Sequence, residues 1–177
     1  KIAVLEPNNY VKHSLCPAMI IEHLYNNNPE LIETAGVFGT YGHRDQGYYT
    51  KLMCQLDVVQ DYKMNFFDRV PFTNIFSGNW KDKYNYIVSH QHLNALNYTY
   101  LEAFYFGIPI VHNSEFIKNE AGYYYKDFDL INGSEMLKKA ILTHDNNLEK
   151  YKEDGQKIIW KYHPENPEVI NQYKKLL

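Results

Sequence analysis

The sequence predicts an α/β fold in which a parallel β-sheet carries helices on both faces. Strand patterns alternate with helical patterns of roughly 10–15 residues along most of the chain, as in repeated β-α-β units. The strand patterns are also continuously apolar, which is typical of parallel strands covered on both sides. Ile2–Leu5, Tyr86–Val88 and Ile108–Val111 show this most clearly.

The first half of the chain supplies two clear strands and two helices. The run "IAVLEP" is a short apolar strand ended by Pro7, and "LCPAMIIEHLYNNN" is a helix that tolerates Pro17 near its start. The segment "TAGVFGT" is a strand with glycine punctuation, and "DQGYYTKLMCQL" is a helix despite Gly47. The next segments, "DVVQDY" and "NFFDRVPF", predict one or two further strands.

The second half continues the alternation and ends in helices. "NYIVSHQ" is a strand, "YTYLEAFYF" a helix and "IPIVHN" another strand. A helix is predicted over residues 134–143, capped by Gly133 or Ser134. A long helix over residues 147–162 and a terminal helix over residues 165–177, entered through Pro164, then close the domain.

Length and composition limit the class of protein. The 177 residues fit a single domain, and the apolar fraction of 45% and charged fraction of 22% are those of a globular protein. A net charge of -3 gives no basic field for nucleic acid. The longest apolar stretches are far shorter than the ~20 residues that span a bilayer. Cys16 and Cys54 lie far apart without a Cys-x-x-Cys motif, so we expect two buried, reduced thiols in a cytoplasmic protein.

Polar residues cluster after three of the predicted strands, where parallel sheets bind ligands. The most polar cluster is "SHQHLNALNYT", which leads into the helix over residues 98–106. Asn97 is a good N-cap for this helix, whose free amides suit a phosphate or a sugar hydroxyl. Glu102, one turn further, has the oxygens to bind a ribose diol. Its neighbours are apolar or aromatic, so we expect Glu102 to be buried and partnered, although it can also be a solvated surface acid.

His90 and His92 are two residues apart and point to opposite faces if the strand continues that far. No third histidine or carboxylate stands at a supporting spacing, so we expect no metal site. Either histidine can instead donate a hydrogen bond to a substrate or transfer a proton.

The segment "NALNYTYLEAFYFGIPIV" resembles the signature of the C-terminal, nucleotide-sugar-binding domain of GT-B glycosyltransferases, in the retaining, glycogen-synthase-like superfamily. That signature has a Glu, seven residues, a second Glu, a small residue and then Gly-x-Pro and an apolar run. Glu102-Ala103 and Gly107–Val111 match its second half, whereas Asn94 replaces its first Glu. "LNYTYLEAFYFGIPIVHNS" followed by "GYYY" is also similar to an uncharacterised bacterial and viral glycosyltransferase family.

The resemblance implies a Rossmann-like GT-B half and a set of ligand contacts. Glu102 would bind the ribose, the amides of Asn97–Thr99 would face the diphosphate or donor sugar, and Lys12 or His13 would oppose the diphosphate. The loop over residues 69–72 would lie near the base. No metal or cofactor is implied. The resulting candidate binding residues are Lys12, His13, Asn94, Asn97, Tyr98, Thr99 and Glu102.

We therefore expect residues 1–177 to form one domain, the donor-binding half of an enzyme that transfers a sugar from a nucleotide-diphosphate sugar to a glycan or other acceptor. Helices over residues 147–177 would close it. We expect the acceptor site on an N-terminal domain absent from this chain, so that the chain alone binds nucleotide without turnover. The alternatives are a nucleotide-sugar epimerase on the same fold and a non-catalytic nucleotide-binding or interaction domain. The catalytic residue stays unassigned, because Asn94 lacks the charge of the family's first Glu.

Overall fold

A computed structural model describes residues 1–7, 11–40, 47–77, 83–94 and 97–176. These residues contain a six-stranded sheet in the order β3-β2-β1-β4-β5-β6. Its strands are β1 (Ile2–Val4), β2 (Ala35–Phe38), β3 (Met64–Phe67), β4 (Tyr86–Val88), β5 (Ile110–His112) and β6 (Tyr123–Tyr124). Every neighbouring pair runs parallel. The predicted fold class is confirmed.

Helices connect the strands and form two packed pairs. Their bounds are α1 (Leu15–Asn27), α2 (Gly47–Met53), α3 (Asp57–Gln60), α4 (Phe72–Phe76), α5 (Tyr98–Phe106), α6 (Leu130–Thr143), α7 (Leu148–Lys161) and α8 (Pro167–Lys174). Helix α1 packs against α6, and α5 packs against α7. From β1 the chain crosses to β2 on one side of the sheet centre, and from β4 it crosses to β5 on the other side. Because such crossovers are right-handed, they place α1 and α5 on opposite faces of the sheet. None of the helices in the described ranges is long and apolar enough to cross a bilayer.

Two glycines set the position of α5. Gly107 ends the helix with φ of 66°, a left-handed conformation that glycine adopts without strain. The chain then turns through Pro109 into β5. Gly155 of α7 lets that helix approach closely, because a Cβ there would lie 2.9 Å from the Cβ of Phe104. Both glycines therefore act on the C-terminal part of α5, Gly107 by ending the helix and Gly155 by packing against Phe104.

The predicted strand at "DVVQDY" is wrong, because residues Asp57–Gln60 form helix α3. The carboxylate of Glu22, on α1, accepts hydrogen bonds from the amides of Asp57 (2.9 Å) and Val58 (3.0 Å). These amides have no partner within a helix, so a carboxylate at this end stabilises the helical turn. The predicted strand at residues 65–72 is confirmed only in its first part, since β3 ends at Phe67.

Helix boundaries in the second half differ from those predicted. Helix α6 begins at Leu130 because the side chain of Asp129 accepts from the amide of Asn132 at 2.9 Å, and Gly133 and Ser134 lie inside the helix. The terminal helix begins at Pro167, and the side chain of Asn166 caps it. Helices α1 and α7 lie where they were predicted. The start of the predicted "DQGYYTKLMCQL" helix, at residues 45–46, lies outside the described residues.

The two cysteines are in different environments. Cys16 is buried, as expected, but Cys54 is exposed, which corrects the prediction of two buried thiols. Cys54 follows the last turn of α2, at the protein surface. Apolar residues flank Cys54 in the sequence, but its thiol is not part of the core.

Candidate functional site

A cleft of about 660 Å³ opens at the carboxyl ends of β1 and β2. The loop from β3 to α4 and the first turn of α5 form its other walls. The residues that line it are Leu5, Pro7, Lys12, Phe38, Gly39, Arg69, Val70, Pro71, Phe72, Ile75, Asn97, Tyr98, Thr99 and Glu102. The structure thus brings together Lys12, the α5 N-terminus and the loop over residues 69–72, which are distant in sequence.

Asn97 begins α5 as an N-cap, as predicted. Its backbone is extended, with φ of -119° and ψ of 139°, and its side chain accepts a hydrogen bond from the amide of Thr99 at 3.2 Å. This interaction satisfies one of the unpaired amides at the helix start. The Thr99 amide is therefore engaged by Asn97, and a ligand reaches it only if the Asn97 side chain turns away.

Glu102 lies one turn into α5 and faces the cleft. The expectation that Glu102 is buried is wrong, because its side chain is exposed. The buried side of the helix is instead formed by Tyr100, Ala103 and Phe104, which pack into the core. A solvated carboxylate on the wall of a cleft needs no protein partner and remains available to a ligand.

Among the residues that the structure describes, the cleft contains two cations and one acid together with the start of α5. Lys12 and Arg69 are the basic residues of the described lining, and Glu102 is its acid. Lys12 forms an isolated antiparallel bridge with Gln91, and the amide of His92 donates to the carbonyl of Val11 at 2.8 Å. These main-chain contacts join the loop after β1 to the loop after β4. Two cations and a helix N-terminus in one cleft suit an anionic group such as a diphosphate.

Asn94 and His13 are not among the described residues that line the cleft. The side-chain amide of Asn94 donates to the side-chain oxygen of Gln91, on the loop after β4. The ring of His13 lies 4.8 Å from that of His90, between centroids, beside the start of α1. The predicted roles of both residues in ligand binding stay predictions.

A buried carboxyl group lies next to the cleft and was not singled out from the sequence. Glu6 is 1% exposed and stands between Leu5 and Pro7, which line the cleft. Its Oε1 accepts from the hydroxyl of Ser89, whereas Oε2 has no hydrogen-bond partner in the described part of the chain. Burial raises the pKa of Glu6 to about 7. The sequence feature that could have identified Glu6 is the position of this acid directly after an apolar strand.

A second cleft, of about 540 Å³, lies at the opposite edge of the sheet. It is lined by Tyr86 at the start of β4, by Pro109 before β5 and by Gly107 at the end of α5. Ligands of open parallel sheets bind beyond the carboxyl ends of the strands. The cleft at the α5 N-terminus is therefore the candidate functional site.

Solved structures of several glycosyltransferases share this fold. TarM superposes with a TM-score of 0.68 at 14% identity over 99% of this chain and 34% of its own. The pneumococcal O-GlcNAc transferase GtfA, solved with UDP and GlcNAc, gives 0.64 at 14% identity over 99% of this chain and 34% of its own. Trehalose 6-phosphate synthase from Burkholderia multivorans gives 0.60 at 10% identity, over 88% of this chain and 37% of its own.

These neighbours define the class of fold. They are GT-B glycosyltransferases, and the described sheet with its helices is Rossmann-like, as in one GT-B half. The chain spans about a third of the length of these proteins. The chain belongs to the family described as "Protein of unknown function (DUF2827)", which matches residues 1–177. No curated protein has a matching sequence.

Proposed function

We propose that the cleft binds a nucleotide-diphosphate sugar and that the chain is the donor-binding half of a glycosyltransferase. The observation that carries the proposal is the convergence of Lys12, Arg69, the α5 N-terminus and Glu102 on one cleft. A nucleotide sugar has a dianionic centre between two polyhydroxyl groups, and this cleft offers cations and an acceptor carboxylate. The GT-B fold of the neighbours supports the same ligand class.

In this proposal each group has a separate task. Lys12 and Arg69 hold the diphosphate and stabilise the charge that develops on it as the sugar leaves. The carboxylate of Glu102 accepts hydrogen bonds from the ribose hydroxyls and orients the nucleoside. The loop over residues 69–72 borders the base. None of these tasks uses covalent chemistry, so this cleft contributes to catalysis by positioning the donor and by stabilising charge.

Sugar transfer also requires an acceptor and a catalytic group. We place both outside this chain, because it spans about a third of the glycosyltransferases that share its fold. The proposed reaction is transfer of the donor sugar to a glycan or another acceptor held by a separate part of the protein. We expect this chain alone to bind the nucleotide without transferring sugar.

Calorimetric titration with UDP, GDP and dTDP tests the proposed binding. We expect one of them to bind and Glu102→Gln to weaken that binding by roughly 10-fold or more, because a charged hydrogen-bond acceptor is lost. Glu149→Gln is the matched control, since Glu149 is an exposed acid on α7 with 89% of its side chain accessible. A folded protein that binds none of the three nucleotides, or an unchanged affinity in Glu102→Gln, contradicts the proposal.

Asn94 favours a second candidate, a non-catalytic nucleotide-binding domain. Asn94 replaces an acid, so it cannot stabilise positive charge on a reacting sugar, and its amide is held by Gln91. A product assay of the intact protein, with and without candidate acceptors, separates the two functions. Nucleotide binding without any product at saturating donor and acceptor supports the non-catalytic domain.

A further inference from the structure

A cluster of metal-ligand side chains lies beside the cleft. His13 and Cys16 stand at the start of α1, and His90 follows β4. One potential ligand atom from each lies within 4.8 Å of the others. His90 is 0% exposed and Cys16 is 8% exposed, whereas His13 is half-buried. The cluster therefore has a buried floor and one side that can reach solvent.

The hydrogen bonds around His90 determine which ring nitrogen carries its proton. The hydroxyl of Tyr125 donates to the carbonyl of Ser89 at 2.9 Å, and the same hydroxyl lies 2.9 Å from Nδ1 of His90. A hydroxyl has a single proton, so Nδ1 of His90 must donate to the Tyr125 oxygen. His90 then presents an unprotonated Nε2.

This Nε2 is buried and has no hydrogen-bond partner among the residues that the structure describes. A buried polar atom without a partner is uncommon, and its lone pair is available to a ligand. An imidazole that donates from one nitrogen to a fixed oxygen and offers the other is the arrangement of metal-binding histidines. His90 is thus held as a neutral imidazole with one ring nitrogen available to a ligand, in the cluster that it forms with His13 and Cys16.

We propose that His13, Cys16 and His90 bind a divalent cation of the zinc class, with water in the fourth position. One thiolate and two imidazoles are the ligands that zinc prefers. Tetrahedral zinc keeps such ligand atoms about 3.4–3.8 Å apart, so the cluster needs to close by roughly 1 Å. His13 is the most exposed of the three side chains, so the proposal assigns most of this movement to its ring.

The surroundings of the three side chains favour a metal ion. Phe128 covers the cluster, with its ring centroid 4.5 Å from that of His90 and 6.0 Å from that of His13. An aromatic cover limits the access of water to a metal site.

The ion would join the start of α1 to the loop after β4. Lys12 precedes His13 directly and lines the cleft. A bound ion would therefore hold the wall that carries Lys12. The expectation of no metal site rested on the spacing around His90 and His92 and on the absence of a recognised histidine partner for Cys16 or Cys54. The sequence also contains His13-x-x-Cys16, whose short spacing keeps two potential ligands together at the start of α1.

Cobalt substitution tests the site independently of nucleotide binding. The intact protein is freed of metal with a chelator and titrated with Co²⁺ while the near-ultraviolet and visible spectrum is recorded. We expect a thiolate-to-cobalt charge-transfer band that Zn²⁺ abolishes by competition. Cys16→Ser should lack the band, whereas Cys54→Ser, which changes the exposed thiol, should keep it.

His13→Gln provides a second test, because a half-buried side chain is less critical to folding than the buried Cys16 and His90. We expect this variant to bind Co²⁺ more than about 10-fold more weakly. Circular dichroism establishes that each protein is folded. A folded wild-type protein without the charge-transfer band overturns the proposal. A band that survives Cys16→Ser, or an unchanged affinity in His13→Gln, overturns it as well.

Discussion

The carboxyl group of Glu6 shows how much a single buried residue can affect this protein. It is hydrogen-bonded to Ser89, whose hydroxyl also lies 3.0 Å from that of Tyr100. This network connects the end of β1 to the loop after β4 and to α5. Ionisation of Glu6 leaves a charge in a site without a compensating cation among the described contacts. The protonation state of one residue therefore affects all three elements.

The pH dependence of stability should report on Glu6. Burial raises its pKa from 4.5 to about 7, so the folded protein binds this proton more tightly than the unfolded chain does. The stabilising contribution is fully present below pH 4.5 and is lost as the pH rises to about 7. The loss amounts to about 3 kcal/mol. Glu6→Gln cannot ionise, so we expect its free energy of unfolding not to show this decrease.

Urea unfolding of both proteins across this pH range measures the effect. Burial lowers the pKa of His112 to about 4, which acts in the opposite direction but is common to both proteins. The difference in unfolding free energy between wild type and Glu6→Gln therefore isolates the carboxyl group. If that difference stays constant with pH, Glu6 does not titrate as its burial indicates.

Among the elements, the first turn of α5 combines a structural and a binding role. Asn97 caps the helix and also lines the cleft. The capping role requires only a side-chain oxygen, whereas the proposed ligand carries negative charge. A substitution that keeps the oxygen and adds a charge separates the two roles.

Asn97→Asp makes this separation. Asp caps a helix about as well as Asn, so we expect the free energy of unfolding to stay within about 0.5 kcal/mol of wild type. We expect nucleotide affinity to fall by roughly 10-fold, because the new carboxylate repels the diphosphate. Thermal unfolding and calorimetric titration measure the two effects. Unchanged affinity would place the diphosphate away from the α5 N-terminus.

Elements were predictable from the sequence where their signals were local. The start of α5 followed from Asn97, whose cap lies two residues from the amide it binds. Helix α3 was missed because the carboxylate of Glu22 that caps it lies on another helix. A continuously apolar strand or a local cap can be recognised within one segment of sequence. A capping side chain that comes from another helix can be identified only once the fold is known.

At the scale of the whole molecule, the predicted parallel sheet and its ligand-binding edge follow from the alternation of strands and helices. The cleft was predictable in part, since strand ends in a parallel sheet converge on one edge. The cluster of His13, Cys16 and His90 was not, because His90 is distant in sequence from the other two and only the strand order brings β1 beside β4. Glu6 was missed because its burial depends on the same neighbours.

Salt should distinguish local from global electrostatics in ligand binding. The net charge of -3 gives no overall attraction for a nucleotide, so the attraction must come from Lys12 and Arg69 in the cleft. We expect affinity for the nucleoside diphosphate to fall with added NaCl and Lys12→Gln to reduce that dependence. Calorimetry at several salt concentrations measures it, with the phosphate-free nucleoside as control. Equal salt dependence for both ligands would show that these cations do not hold the diphosphate.

The short bridge between Lys12 and Gln91 has a consequence for the thermodynamics of binding. Loops that a ligand must immobilise lose conformational entropy on association, and this loss reduces affinity. The bridge and the hydrogen bond from His92 to Val11 restrain residues 11–12 and 91–92 before any ligand arrives. Part of the entropic penalty is therefore met during folding, and the wall that carries Lys12 is already ordered when the ligand binds.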